Sequence, residues 1–128
     1  MSKTYRTLSV EDDDDQFTLL KIALKDMPLE LRRASNGADA VSLLTEFKPE
    51  LLILDVTLPD ILGWDVLDWL KTHQAALMDA PVLVLTSHTE ASHRVIGKLQ
   101  QVAHYMNKPF MPASLRAKVK ELLKIADD

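Results

Sequence analysis

The sequence predicts a doubly wound α/β domain, a five-stranded parallel sheet with helices on both faces. Three observations lead there. Short apolar runs alternate about five times with stretches whose apolar residues recur at helical spacing, as strand–helix units of a parallel sheet do. Two of the runs, Leu51-Leu52-Ile53-Leu54 and Val82-Leu83-Val84-Leu85, are apolar at every position, the pattern of strands buried on both faces. Prolines punctuate the alternation, with Pro28, Pro49 and Pro81 falling between elements.

Leu8 and Val10 begin a strand that runs into Glu11, Asp12, Asp13, Asp14 and Asp15; its alternate positions, Thr7 and Ser9, are small and polar. Phe17, Leu20, Ala23, Leu24 and Met27 follow at helical spacing, and Pro28 stops that helix. Leu29, Glu30, Leu31 and Arg32 alternate as a half-exposed or edge strand does. Asn36-Gly37 marks a turn. Ala40, Val41, Leu44 and Phe47 form the next helical stripe, ended by Pro49. The third strand stops at Asp55, and a loop with Pro59 and Gly63 leads to a third helix carrying Val66, Leu67 and Leu70. The fourth strand ends at Thr86, and Val95, Ile96 and Leu99 suggest a fourth helix. Residues 102–107 read as a mixed fifth strand before Lys108-Pro109. Leu115, Val119, Leu122 and Ala126 carry the last helix, with Pro112 in its first turn. The all-apolar strands belong at the centre of the sheet and the alternating ones at its edges.

A chain of 128 residues is expected to form one domain, 1–128, with no output domain. With 47% hydrophobic and 27% charged residues it is ordinary for a globular protein. A net charge of −4 shows no basic footprint for nucleic acid. The absence of cysteine excludes disulfides, thiolate metal sites and a cysteine nucleophile. No apolar run approaches the roughly 18 residues of a membrane span, and residues 1–6 lack the apolar core of a signal peptide. A cytoplasmic location without membrane contact is the expectation.

In an open α/β sheet, ligands bind beyond the carboxyl ends of the strands. Just past those ends stand Glu11 and Asp12, Asp55, Thr86 and Lys108. Parallel strands bring all of them to one rim. Carboxylates held together repel one another, and Lys108 offsets only one of their charges. A hard divalent cation such as Mg2+ suits an all-oxygen donor set and restores neutrality. Such a site can accept a phosphoryl group, a transfer that asks chiefly for positioning and charge stabilisation. Asp55 would be the nucleophile, Lys108 and the metal would face the equatorial oxygens, and Thr86 would donate a hydrogen bond.

These residues resemble the receiver domain of two-component response regulators, the CheY-like family. The matching pieces are Val10-Glu11-Asp12, Leu54-Asp55 with Leu58-Pro59 and Gly63, Leu85-Thr86-Ser87, and Tyr105 with Lys108-Pro109-Phe110. They cover essentially the whole chain in the right order. The resemblance implies the strand order 2-1-3-4-5. It implies Asp55 as phosphoacceptor, fed by a histidine kinase or a histidine phosphotransfer protein. It implies Mg2+ (or Mn2+) held by Asp12, by Glu11 through water, by Asp55 and by the backbone carbonyl of Thr57. Thr86 and Tyr105 resemble the family's switch pair, and the backbone N–H of Ser87 matches a phosphoryl contact. The fourth helix, fifth strand and last helix would form a phosphorylation-dependent face for a downstream protein. The family often has Gly-Ala-Asp before the switch tyrosine, whereas this chain has Gln101, Val102, Ala103 and His104. The acids of one common dimer are therefore missing, while homodimerisation as such stays open. Leu62 stands where an acid commonly precedes the loop glycine.

Competing readings are weaker. Asp13, Asp14 and Asp15 read best as the acidic start of a helix. Trp69 and the last-helix leucines read as core, and Trp64 as capping the start of the third helix near the cleft, without a chemical role. His73, His88, His93 and His104 lack the spacing of a metal site. An aspartate-nucleophile phosphatase commonly has a second aspartate two residues after the nucleophile, where this chain has Thr57. A flavodoxin-like cofactor binder would carry a Ser/Thr/Gly-rich loop after the first strand. A degenerate receiver would lack part of the acid–Thr–Lys set, and a fragment of a larger hybrid kinase or regulator would carry the same motifs.

Overall fold

The computed structural model describes residues 3–55, 80–87 and 104–125. The expected third and fourth helices, with Thr57, Trp64, Trp69, His73, His88 and His93, lie outside the described residues. Of Asp55, Thr86 and Ser87, the backbone alone is described.

Five strands, β1 (Tyr5–Val10), β2 (Leu29–Ala34), β3 (Leu51–Asp55), β4 (Val82–Ser87) and β5 (His104–Lys108), form one sheet in the order β2-β1-β3-β4-β5. Every pairing is parallel. The described helices are α1 (Asp14–Ala23), α2 (Gly37–Glu46) and α3 (Pro112–Leu123), the last of the chain. The step from β1 to β2 runs opposite to the step from β2 to β3. With right-handed crossovers, α1 and α2 therefore fall on opposite faces of the sheet.

On one face α1 and α3 pack together against β3 and β4. Leu20, Ala23 and Leu24 meet Leu51, Ile53, Leu83 and Leu85, and Leu115 and Val119 complete the cluster. On the other face α2 lies against β1 and β2 and buries Ala40 and Leu44. The period-2 pleat sends Leu52 and Leu54 to that side, and both are almost fully buried. β3 thus feeds both layers, which is why its sequence shows no polar phase. Each such aliphatic side chain contributes about 1.5–3 kcal/mol on burial, and Leu115→Ala would cost about 2–5 kcal/mol.

The edge strands β2 and β5 alternate in exposure along their length, as expected. β1 departs from the pattern rule. Its alternating sequence suits an edge, yet it lies between β2 and β3 with Thr7 and Ser9 fully buried. A small hydroxyl side chain tolerates burial when it finds a local acceptor, as Thr7 does: its Oγ1 donates to the carbonyl of Tyr5 at 3.3 Å.

Two boundaries also differ from the sequence expectation. α1 ends at Ala23 rather than at Pro28. The guanidinium of Arg116 on α3 donates to the carbonyls of Ala23 and Lys25, at 3.0 and 2.7 Å, and so closes the helix end from another element. Asn36-Gly37 opens α2 instead of making a turn. Asn36 is its N-cap, with Oδ1 accepting from the N–H of Asp39 at 2.8 Å. Pro112 occupies the first turn of α3, as expected.

Candidate functional site

The parallel register aligns the carboxyl ends of four strands. Val10, Leu54, Val84 and Tyr105 form one row across the sheet. Glu11 and Asp55 stand one residue beyond that row, Asp12 and Thr86 two, and Ser87 and Lys108 three. Ser87 and Lys108 are register partners. The expected site residues of the described strands therefore share one edge in their backbone positions.

Glu11 is the anchor of that edge and is 5% exposed. Its N–H extends the β1–β2 ladder by donating to the carbonyl of Ala34 at 2.9 Å. Its carbonyl accepts from Nε of Arg33 at 2.9 Å. One carboxylate oxygen, Oε2, accepts from the N–H of Asp13 at 3.3 Å, and the other, Oε1, lies 3.0 Å from Nζ of Lys108. A buried carboxylate needs such a counter-charge.

The remaining acids of the run divide their roles. Asp13 is the N-cap of α1, its Oδ1 accepting from the N–H of Gln16 at 2.9 Å. Asp14 and Asp15 sit in the first turn, where the macrodipole favours negative charge. Asp14 also pairs with Arg33 at 2.7 Å. Asp12 is exposed at the edge beside Glu11. The helix-start reading of Asp13, Asp14 and Asp15 agrees with this geometry.

Arg33 escaped the sequence reading. Its signal was its phase: in β2 it follows Leu29 and Leu31 at period 2, an arginine on the inward side of an edge strand.

Tyr105 lies on β5 opposite Val84 and is 48% exposed. Among the described residues no three His, Cys, Asp or Glu side chains gather as a metal site. Glu11 and Asp12 supply oxygen donors side by side at the edge, a set that suits a hard cation rather than a soft one. No helix among the described residues is long and apolar enough to cross a membrane.

Against known proteins, the model of the response regulator receiver domain matches residues 7–120. The chain belongs to the response regulator receiver family. This receiver domain is 37% identical to the transcriptional regulatory protein GltR of Pseudomonas aeruginosa, over 98% of this chain and 52% of that protein. It is 35% identical to the alkaline phosphatase synthesis transcriptional regulatory protein PhoP of Bacillus subtilis, over 93% of this chain and 48% of that one. The chain thus spans about half the length of the curated relatives it matches. Among solved structures it resembles the signal receiver domain of a signal transduction histidine kinase from Syntrophus aciditrophicus. That likeness has a TM-score of 0.83 at 31% identity, over 94% of this chain and 91% of that one. It also resembles the Mn2+-bound form of the response regulator Rcp1, with a TM-score of 0.80 at 26% identity, over 96% and 97% of the two chains.

Proposed function

We propose that this receiver domain is a phosphorylation switch whose acceptor is Asp55. The observation that carries the proposal is the Lys108–Glu11 pair, which brings an ammonium and a buried carboxylate to the strand edge where the backbone of Asp55 stands. A histidine kinase or a histidine phosphotransfer protein is the donor. A carboxylate oxygen of Asp55 forms the new P–O bond as the P–N bond to the donor imidazole breaks, and the imidazole nitrogen keeps the electron pair.

Glu11, Asp12, Asp55 and the carbonyl of Thr57 would hold Mg2+ or Mn2+. The bound ion supplies positive charge opposite the phosphoryl oxygens. Lys108 faces the same oxygens, Thr86 donates its hydroxyl proton, and the N–H of Ser87 adds a hydrogen bond. The domain acts as a signalling module that promotes its own phosphorylation and dephosphorylation rather than turning over an external substrate.

The output is a changed surface formed by the expected fourth helix, β5 and α3. Tyr105, half exposed on the edge strand, would move between solvent and interior with Thr86. The partner there is a protein; a net charge of −4 disfavours direct binding to nucleic acid. Signalling of this kind is cytoplasmic. The half-length match to transcriptional regulators supports a second reading, in which the chain serves as the receiver portion of a larger regulator.

Mass spectrometry after incubation with a small phosphodonor tests the acceptor. Wild type with Mg2+ should gain one phosphoryl mass, with little gain when the ion is chelated and none in Asp55→Asn. An equal adduct on Asp55→Asn would refute the assignment.

A further inference from the structure

We propose that Arg33 is a positioning residue that orients the acidic pair Glu11 and Asp12 for the divalent cation. The inference rests on the receiver function proposed above and adds a residue to it. Arg33 is the penultimate residue of β2, with its side chain 22% exposed. Its guanidinium makes three contacts at once. Nε donates to the carbonyl of Glu11 at 2.9 Å, Nη1 reaches Oδ1 of Asp14 at 2.7 Å, and the group lies 5.2 Å from the ring centroid of Phe17.

The first contact matters most. The carbonyl of Glu11 belongs to the peptide unit that joins Glu11 to Asp12. Fixing that plane fixes where Cα of Asp12 stands and so narrows the directions in which its side chain can leave the backbone. On the other side of Glu11, its N–H is already held by Ala34 of the same strand. β2 therefore grips both peptide units flanking Glu11, and half of the grip is the Arg33 side chain.

The second contact sorts the acids. Five consecutive carboxylates, from Glu11 to Asp15, are chemically equivalent candidates for a hard cation. Asp13 spends an oxygen on the helix cap, and Arg33 engages Asp14. Asp15 lies in the first turn of α1, past the edge, and Glu11 and Asp12 are the two acids that precede the helix and its cap at the strand end.

Charge and geometry make opposite demands here. A guanidinium near a cation site repels the cation, so on charge alone its removal tightens binding. A fork that holds the ligand loop favours the bound geometry, so its removal weakens binding. Lysine keeps the charge and loses the fork. The sign of the change therefore separates the two roles.

Calorimetric titration of Mg2+ into the full chain provides the readout, without any phosphoryl transfer. Arg33→Lys and Arg33→Met should each weaken the Kd about tenfold, the low end for residues that orient metal ligands. Asp14→Asn, which keeps the Nε contact, should weaken it less. Circular dichroism checks that each variant is folded, and Arg33→Lys serves if Arg33→Met is not. An unchanged Kd in Arg33→Lys, or a tighter one in Arg33→Met, overturns the positioning role. A wild type that binds no Mg2+ overturns the receiver function and this role together, and that failure is distinct because it appears before any substitution.

Discussion

Nζ of Lys108 lies 3.0 Å from Oε1 of Glu11, although β3 and β4 stand between β1, which Glu11 follows, and β5, which Lys108 ends. At about 4.8 Å per strand, the β1-to-β5 spacing is roughly 14 Å. Both side chains must therefore extend across the strand ends to meet, along the edge that the backbone of Asp55 shares. The two side chains are 16% and 6% exposed, so the pair is largely removed from water. In the proposed chemistry Lys108 must turn from Glu11 to the phosphoryl oxygens, and the cation takes over its role as counter-charge.

Lys108→Ala should separate these duties. Without a divalent cation the variant leaves Glu11 lacking the ammonium and loses about 1–3 kcal/mol of stability. Added Mg2+ should restore part of that loss, because a ligand of the native state stabilises it. Thermal melts with and without Mg2+ check this. An equal deficit in both conditions would mean that Lys108 and the cation do not share Glu11. The same variant should still bind Mg2+, while the ring resonances of Tyr105 should no longer shift on phosphorylation.

Arg116→Ala should weaken the junction between α1 and α3. The arginine holds two carbonyls at the end of α1, those of Ala23 and Lys25. Charge-assisted hydrogen bonds of this kind, partly open to water, make the expected cost about 1–2 kcal/mol. Urea unfolding should show a lower midpoint with an unchanged slope, because the surface exposed on unfolding is the same. A wild-type midpoint would show that water caps α1 equally well.

Much of this molecule was legible because burial leaves a direct trace in sequence. β3 and β4 announce themselves through unbroken apolar runs, and the polar residues at their ends mark the edge where the proposed site lies. What was hidden depends on contacts between elements distant in the chain. The carbonyls at the end of α1 are capped by Arg116, more than ninety residues away, a contact that no local pattern near Pro28 could reveal. β1 looked like an edge strand because Thr7 and Ser9 are polar, yet small hydroxyls bonded to local carbonyls can be buried at little cost. Arg33 showed only a phase, and its meaning came from the loop it holds. Glu11 and Lys108, by contrast, were brought to one edge from sequence, since the alternation had already fixed the parallel direction of their strands; their direct ion pair was not foreseen.

Glu50 should give the fold a pH-dependent brace at the opposite end of the sheet. Its carboxylate meets Nζ of Lys3 at 2.7 Å and accepts from the N–H of Arg6 at 3.1 Å, tying the start of β1 to the start of β3. The hydrogen bond from Lys3, with the Arg6 N–H and the charges of both basic residues, holds the carboxyl below its ordinary value of 4.5 against a smaller desolvation effect. A carboxyl lowered on folding stabilises the fold above that ordinary value, and the stabilisation disappears as pH falls through the lower folded value. Glu50→Gln should therefore be less stable than wild type by about 0.2–1 kcal/mol at pH 7. The difference should shrink as the pH is brought below 4.5. A gap that stays constant across that range in denaturant titrations would assign the effect to packing instead of charge.

In the proposed function a protein donor brings its phosphorylated imidazole to the carboxyl edge of the sheet, and α1 begins at that edge directly after the acidic loop. Its solvent side presents Leu19 and Ile22, 52% and 64% exposed and three residues apart, so they share one stripe of the helix. Met111, at the start of α3, is 69% exposed. A donor that covers such residues gains apolar area without touching the reacting atoms. The double variant Leu19→Asp, Ile22→Asp should slow phosphotransfer from a protein donor by about tenfold or more, since truncating a central interface residue costs over roughly 1 kcal/mol. Exposed substitutions leave the fold within about 0.5 kcal/mol, and the rate with a small phosphodonor should not change. Parallel kinetics with the two donors provide the test. An equal fall in both rates would place the damage at Asp55 itself, and an unchanged protein-donor rate would remove α1 from the docking surface.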